Sequence, residues 1–340
     1  MSKVSIIGAG NVGATAAMNI ARMGICDQVV LLDIKEGVAE GKAIDIAQTL
    51  GMVGVSTNVI GVTNDYKATQ ESDVYVITSG IPRKPGMTRE ELVGVNNKVI
   101  NSVMDGITAY CYDHISEYDE TPHVQPKFVV VSNPVDTMCS AVLNYLVKKY
   151  SHSAETFKDS IIGFGGLLDS NRFKYYIKEA MEKRYDRFDG LEDQTVDISN
   201  ISGYVVGGHG DKTMIPVWEH AQYAGIPIER FFNKEQMDEI VANTMKGGAT
   251  LTGLIGTSAW EAPGMGIAIT VKAIINNENK IIPSSVWSDL FNCFIGQLPM
   301  IGKDGVCDVL YSYETIERVQ KELFKSAEAI KSVNEALSKE

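Results

Sequence analysis

The stretch IIGAGNVG, at residues 6–13, constrains the fold of this chain more than any other part of its sequence. Its three glycines, Gly8, Gly10 and Gly13, follow a short apolar run and precede a helical pattern. In such a strand–turn–helix unit the first glycine permits a tight turn and the second lets a pyrophosphate approach the backbone. The third lets helix and strand pack closely, and the helix N-terminus favours the anion. The pattern therefore predicts a dinucleotide site, although a plain turn between strand and helix would also fit the glycines alone.

Asp33 strengthens the dinucleotide interpretation. It ends the next apolar run, QVVLLD, twenty residues after Gly13. A carboxylate at that place accepts hydrogen bonds from a ribose 2′-hydroxyl and repels a 2′-phosphate, so we expect NAD and not NADP. The residues expected to bind the cofactor here are Gly8, Ala9, Gly10, Asn11, Val12, Gly13 and Asp33.

Short apolar runs alternate with helical patterns through the first 140 residues. Such runs are typical of strands that helices cover on both faces. The runs are VSIIG (4–8), QVVLLD (28–33), VSTNVIGV (55–62), DVYVITSG (73–80) and KFVVVSNP (127–134). They predict an α/β fold in which residues 1–145 form an NAD-binding Rossmann domain with a doubly wound parallel sheet.

The pattern changes after about residue 145, where longer helical stretches (169–184 and 233–258) mix with strand-like pieces. We expect residues 146–330 to form an α+β substrate domain, followed by an amphipathic C-terminal helix that packs on the body of the protein. Within the first domain, the helix after Met87 should bury one face at three- and four-residue steps. That face consists of Leu92, Val95, Val99, Val103 and Ile107.

The charge and cysteine content exclude several classes of partner. The chain has 340 residues and a net charge of −12, whereas binding to phosphate backbones or anionic membranes requires a basic face. Its five cysteines show neither CxxC nor zinc-type spacing, so we expect free thiols and no metal site. Strand-like sequence from Lys3 leaves no room for a signal peptide, and we expect a cytoplasmic protein.

Four further fragments carry candidate chemical groups. Each one alone also fits an ordinary loop, turn or helix cap. They are SGIPRKPGMTR (79–89), SNPVD (132–136), LLDSNRF (167–173) and GGHGD (207–211). Together with GAGNVG, and in this order, they resemble the NAD-dependent lactate/malate dehydrogenase family, and most closely its malate dehydrogenases of lactate-dehydrogenase-like type. The resemblance extends over nearly the whole chain, to LPMIGKDGV near residue 305.

The resemblance implies a role for each matching residue. His209 matches the family's proton acceptor, and an imidazole suits that task because its ordinary pKa of about 6.5 lies near working pH. Asp169 matches the carboxylate that orients the imidazole. Arg172 matches the arginine that binds the substrate's 1-carboxylate through a planar pair of hydrogen bonds. Asn133 matches an asparagine that contacts the substrate and helps place the nicotinamide, and the cofactor site extends to Asn96, Val131 and Ser132.

The two arginines of residues 79–89 match an active-site loop of the family. Arg89 matches the residue that polarises the substrate carbonyl, and Arg83 matches the residue that recognises the far end of the substrate. An arginine at that end suits a second carboxylate, as in malate and oxaloacetate, and the small Ala259 would leave room for it. Glu261 is an acid where a neutral residue is expected, which would weaken binding of a dicarboxylate if its side chain pointed inward.

The function implied is reversible oxidation of (S)-malate to oxaloacetate by hydride transfer to NAD, with His209 and Asp169 as the acid–base pair. One alternative is a dehydrogenase of the same mechanism that acts on L-lactate or another 2-hydroxy acid. Another is a non-catalytic NAD-binding protein. The expected partners are a small dicarboxylate and a second copy of the chain in a homodimer or homotetramer.

Overall fold

A computed structural model describes residues 1–82, 87–111, 125–185, 195–311, 313 and 315–339. Six parallel strands form the first part of its main sheet, in the spatial order β3-β2-β1-β4-β5-β6. This order is typical of dinucleotide-binding sheets. The strands are β1 (Lys3–Ile7), β2 (Gln28–Asp33), β3 (Asn58–Thr63), β4 (Val74–Ile77), β5 (Lys127–Val130) and β6 (Ile161–Gly163).

Helices cover both faces of these strands, which explains why the runs are apolar almost throughout. The first helices are α1 (Asn11–Arg22), α2 (Val38–Val53), α3 (Arg89–Cys111) and α4 (Val135–Tyr150). On β1, Val4 and Ile6 face α1 and α2, whereas Ile7 faces α3 and α4. The doubly wound parallel sheet expected from the sequence is therefore confirmed.

The second half of the chain extends the same sheet with antiparallel strands. β13 pairs with β6, and β14, β8 and β9 follow; within the described residues this sheet has twelve strands, because β12 and β15 also pair with β14. β7, β10 and β11 form a separate small sheet. The strands of this half are β7 (Ile201–Ser202), β8 (Val205–Gly207), β9 (Met214–Pro216), β10 (Gln222–Tyr223), β11 (Ile226–Pro227), β12 (Lys280–Ile281), β13 (Ser284–Ser288), β14 (Cys293–Gly302) and β15 (Gly305–Leu310).

The helices of this half are α5 (Gly166–Tyr185), α6 (Lys234–Ile255), α7 (Glu261–Ile275) and α8 (Glu317–Asn334). α7 packs against α1 so closely that a Cβ on Gly264 would lie 2.5 Å from Cγ2 of Thr15. α8 buries one face against the body of the protein, as its amphipathic pattern predicts. The α+β character of this half is confirmed, while the boundary between residues 145 and 146 stays a prediction. No described helix is both long and apolar enough to cross a membrane.

The predicted buried face of α3 was wrong at one position. Val95 is 39% exposed, while Val93 and Ile100, outside the predicted stripe, are fully buried. α3 both packs on the sheet and borders the cleft beside the glycine-rich turn, and Val95 lines that cleft. An apolar residue that borders a binding cleft follows the same helical period as one that packs in the core.

Candidate active site

The glycine-rich turn joins β1 to α1 as the sequence predicts. Gly8 has a φ of +113°, a left-handed conformation that favours glycine. A Cβ on Gly13 would lie 1.9 Å from the carbonyl oxygen of Gly8, so only glycine lets α1 approach the turn this closely. Gly10 caps α1 without a side chain, and no atom lies within 4 Å of the position its Cβ would take. This open backbone at a helix N-terminus fits a pyrophosphate.

Asp33 lies against the same turn, at the end of β2. Its Oδ2 accepts a hydrogen bond from the backbone N–H of Ala9 at 2.7 Å, and its Oδ1 accepts one from Lys35 N–H at 2.9 Å. These bonds hold the carboxylate beside Gly8 and Gly10 in one cleft. The chain thus places an anion where a ribose 2′-hydroxyl would lie, which fits NAD.

The end of β5 continues this site towards the second half of the chain. Val131 N–H donates to the carbonyl of Ile77 at 2.9 Å, and Ser132 Oγ donates to the carbonyls of Ser79 and Ile77. Asn133 is exposed and lines the cleft, and a cis peptide bond joins it to Pro134. Asn133 therefore lies at the carboxyl end of its strand, where ligands bind in open α/β sheets.

Asn96 is placed differently from the expectation of a direct cofactor contact. It is 1% exposed, and its Oδ1 accepts from Ile81 N–H at 2.9 Å. Its Nδ2 donates to the carbonyls of Asn133 and Ile81, at 2.6 and 3.2 Å. The side chain thus ties α3 to the backbone on both sides of the cleft, so a contact of Asn96 with the cofactor stays a prediction.

His209 and Asp169 meet across the cleft from the cofactor turn. Asp169 lies in the first turn of α5 and is 1% exposed, and His209 lies in the loop after β8. His209 Nδ1 and Asp169 Oδ2 are 2.6 Å apart, and Arg172 Nη1 donates to Asp169 Oδ1 at 3.1 Å. The structure therefore brings together three residues that the sequence separates by up to forty positions.

The surroundings of His209 favour its protonated form. Burial alone would lower the pKa of the imidazole, but the charge and the hydrogen bond of Asp169 outweigh it. Arg172 opposes the protonated form and Asp136 favours it. The net effect raises the pKa of His209 above its ordinary value, so the ring keeps its proton to a higher pH than a free imidazole does.

Arg172 presents part of its guanidinium group without a partner. Its Nε is buried and finds no hydrogen-bond partner among the residues that the structure describes, while the side chain lines the cleft beside His209. Two glycines of α6 lie against this side chain: a Cβ on Gly247 would come 3.3 Å from Cδ of Arg172, and one on Gly248 would come 3.4 Å from its Nη1. A buried donor in a planar group fits a carboxylate that arrives from the cleft.

Three residues that support the histidine were not identified from the sequence. A Cβ on Gly165 would lie 2.7 Å from Cγ of His209, so the imidazole packs directly on this glycine. Asp136 accepts hydrogen bonds from His209 N–H and from Oγ of Ser285. Asp136 stands inside the fragment SNPVD, but nothing in one sequence indicates that its partner lies 73 positions away.

The loop of His209 is also held by the C-terminal helix. Gly208 N–H donates to Oγ of Ser326 at 2.9 Å, and Ser326 Oγ donates to the carbonyl of Thr213 at 2.9 Å. Ser326 lies on α8 and is buried. The main chain on both sides of the histidine is therefore tied to α8.

The structure describes little of the two arginines of residues 79–89. Arg83 lies outside the described residues, and Arg89 is the first residue of α3, with a side chain that is not described. Ala259 lines the cleft with His209 and Arg172. Glu261 is exposed at the start of α7 and is not among the described residues that line this cleft.

Comparisons with known proteins agree with this site. A model of the lactate/malate dehydrogenase NAD binding domain matches residues 2–156, and one of the lactate/malate dehydrogenase alpha/beta C-terminal domain matches residues 167–340. A malate dehydrogenase of Parabacteroides distasonis is 47% identical, over 99% of this chain and 98% of that protein. One of Flavobacterium johnsoniae is 46% identical, over 98% of each chain.

Solved structures give the same family. The malate dehydrogenase of Salinibacter ruber superposes with a TM-score of 0.83 at 30% identity, over 99% of this chain and 98% of that one. The lactate dehydrogenase of Cryptosporidium parvum, solved with lactic acid and NAD, gives 0.84 at 28% identity, over 99% and 98%. The fold alone therefore does not separate the two substrates. The chain belongs to the lactate/malate dehydrogenase family, and its cofactor is NAD.

Proposed function

We propose that this protein is an NAD-dependent malate dehydrogenase, which oxidises (S)-malate to oxaloacetate and catalyses the reverse reaction with NADH. The observation that carries the proposal is the contact of His209 Nδ1 with Asp169 Oδ2 at 2.6 Å, beside Arg172, in a cleft next to the glycine-rich turn. The relatives named malate dehydrogenase support the choice of substrate.

The acid–base chemistry belongs to His209. Bound NAD supplies the hydride acceptor for the oxidation. Because Nδ1 is engaged with Asp169, the imidazole takes the substrate's hydroxyl proton at Nε2. Asp169 holds the ring in place and favours the imidazolium that results. In the reverse direction the protonated Nε2 donates a hydrogen bond to the ketone oxygen and polarises it.

Substrate binding is assigned to Arg172 and Asn133. The buried Nε of Arg172 gains a partner when the 1-carboxylate binds, and the planar group sets the orientation of that carboxylate. Asn133 contacts the substrate from the end of β5. The cofactor is held by Gly8, Ala9, Gly10, Asn11, Val12, Gly13, Asp33, Asn96, Val131, Ser132 and Asn133.

Arg83 and Arg89 complete the proposal. Arg89 polarises the carbonyl, and Arg83 binds the second carboxylate of the substrate. If pyruvate bound instead, Arg83 would be enclosed without a partner, which costs roughly 3–5 kcal/mol for a buried charge. At about 1.4 kcal/mol per tenfold, the preference for oxaloacetate is on the order of 10²–10³.

The test is the substrate profile of the purified protein, with NADH and NADPH assayed side by side. We expect kcat/KM for oxaloacetate to exceed that for pyruvate by about 10²-fold or more. NADPH should be the poorer cofactor, because Asp33 repels a 2′-phosphate. Equal turnover of pyruvate and oxaloacetate would refute the malate assignment in favour of a broader 2-hydroxyacid dehydrogenase. NADH binding without turnover of either substrate would favour a non-catalytic protein.

We also propose that the protein is cytoplasmic and forms a homodimer or homotetramer. Free cysteines among the described residues suit a reducing compartment. Exposed apolar side chains on two surface helices support self-association: Ile44 and Met52 on α2, and Leu254 and Ile255 on α6. The mass of the protein in solution tests the oligomer, and a monomer at working concentration would exclude it.

A further inference from the structure

Asp136 is a buried carboxylate to which the proposed chemistry assigns no role. It lies in the first turn of α4 and is 6% exposed. Its Oδ2 accepts from the backbone N–H of His209 at 3.0 Å, and its Oδ1 accepts from Ser285 Oγ at 2.6 Å. Because α4 begins directly after Asn133 and Pro134, this one side chain joins the cofactor end of β5 to the histidine loop and to β13.

The charges around the imidazole have a definite arrangement. Asp169 and Arg172 act on His209 from α5, and Asp136 acts from α4. Asp211 lines the same cleft from the histidine's own loop. With the imidazole protonated, the two buried carboxylates are balanced by the imidazolium and the guanidinium. With the imidazole neutral, the buried group carries a net negative charge, which a low-dielectric interior disfavours.

Asp136 has the surroundings of an ionised carboxylate. Burial raises the pKa of Asp136 above its ordinary value, and hydrogen bonds from Ser285 and from His209 N–H, with the positive charge of a protonated His209, offset only part of that rise. Within the described residues, both hydrogen bonds of this side chain are donated to the carboxylate. The backbone N–H of His209 can only donate, and the Ser285 hydroxyl can donate as well as accept, so both partners suit the anion.

We propose that Asp136 is a second positioning residue of the acid–base pair: it fixes the main chain of His209 and, as an anion, favours the protonated imidazole. Asp169 acts on the ring and Asp136 acts on the backbone and through its charge. The inference rests on the proposed function, because reduction of a ketone requires the protonated ring and oxidation of an alcohol requires the neutral one.

The experiment is the pH dependence of kcat/KM in both directions for the NADH- or NAD-saturated enzyme and for Asp136→Asn. Asparagine keeps the shape: its oxygen accepts from His209 N–H, and its NH₂ donates to Ser285 Oγ. The charge is lost, and the hydrogen bond with Ser285 is kept with its direction reversed. We expect the pH at which oxaloacetate reduction falls to half its plateau to drop by about one unit, as expected for loss of a nearby charge. Malate oxidation should stay active to a correspondingly lower pH.

Ser285→Ala is the matched control. It removes one hydrogen bond to Asp136 but keeps the charge, so the rate falls modestly while the half-plateau pH stays that of the wild type. If Asp136→Asn is insoluble, Asp136→Ser, a smaller neutral residue with room for water, takes its place with the same expected shift. An unchanged half-plateau pH with equal losses in both directions would overturn the proposal and leave Asp136 a purely structural residue.

A failure of the proposed function would appear differently, as a wild-type protein that does not turn over oxaloacetate. In that case the proton NMR titration of the imidazole, assigned by comparison with His209→Asn, still tests the inference. A lower pKa of the His209 ring in Asp136→Asn than in the wild type supports it, and identical titration curves refute it.

Discussion

Gly165→Ala should separate the activity of this protein from its stability. An alanine Cβ at this position would lie 2.7 Å from Cγ, 2.9 Å from Cβ and 2.9 Å from Nδ1 of His209. Gly165 does not have a left-handed φ, so its backbone tolerates alanine and the strain arises from the contact alone. Carbon atoms in contact prefer about 3.5–4.0 Å, so the imidazole must retreat by close to 1 Å.

That displacement opens the contact with Asp169, which is 2.6 Å long. A 1 Å misplacement of a reacting group costs on the order of 10²-fold, and a general acid–base residue contributes about 10²–10⁴-fold in total. We therefore expect kcat for oxaloacetate reduction to fall about 10²-fold, while NADH binding stays close to that of the wild type. Rotation of the ring relieves the contacts at Cγ and Nδ1, and a small shift of the loop relieves the one at Cβ, so the loss in unfolding free energy should be small beside the loss of activity.

The assay follows NADH absorbance at saturating substrate, with urea unfolding and NADH fluorescence titration in parallel. Gly41→Ala is the control, because Gly41 lies within α2 and no atom lies within 4 Å of its Cβ position. A Gly165→Ala enzyme with wild-type kcat would refute the packing of the imidazole on this glycine. An equal loss of stability and activity would show that the backbone moves and the ring does not.

The remaining predictions concern the substrate preference, the identity of the proton donor and the pH dependence of the reaction. Arg83→Gln should lower kcat/KM for oxaloacetate reduction by about 10²–10³-fold, while kcat/KM for pyruvate reduction stays the same or rises. Equal losses for both substrates would show that Arg83 does not discriminate between them. His209→Asn should abolish turnover, while NADH binding, measured by fluorescence, is kept. Residual turnover above about 10⁻² of the wild-type rate would point to another proton donor. Because the pKa of His209 is raised, oxaloacetate reduction should keep more than half of its plateau rate at pH 6.5, the ordinary imidazole pKa, and should fall to half only at a higher pH. A decline centred at or below pH 6.5 would contradict the role of Asp169.

Local contacts explain why the first half of the fold could be predicted. The left-handed φ of Gly8 and the close approach of Gly13 to Gly8 are demands that arise within one strand–turn–helix unit, and Gly10 leaves the backbone of that unit open. Asp33 follows at the end of the adjacent strand. The apolar runs indicate directly that both faces of the sheet are buried. Val95 shows the limit of this reasoning, since periodicity indicates which face is apolar but not whether it meets the core or a cleft.

The histidine site depended on contacts between distant parts of the chain. The roles of His209 and Asp169 came from the resemblance to a family, because no pattern in one sequence pairs residues forty positions apart. Asp136, Ser285 and Gly165 were missed for the same reason: their function lies in contacts between elements that only the folded chain brings together. Asn96 was identified as a site residue, yet its observed hydrogen bonds lie with the protein backbone.

The bond of Ser326 to the histidine loop has a consequence for how the chain becomes active during synthesis. Domains generally fold from the N-terminus as the ribosome extends the chain. Every residue assigned to cofactor, substrate and proton precedes α8, so all are translated before the helix that supports Gly208 and Thr213. A nascent chain that has formed the parallel strands β1–β6 would therefore hold the NAD site and still lack a fixed proton donor. The catalytic loop is secured only when α8 docks, so activity should appear only after residues 317–334 have left the ribosome.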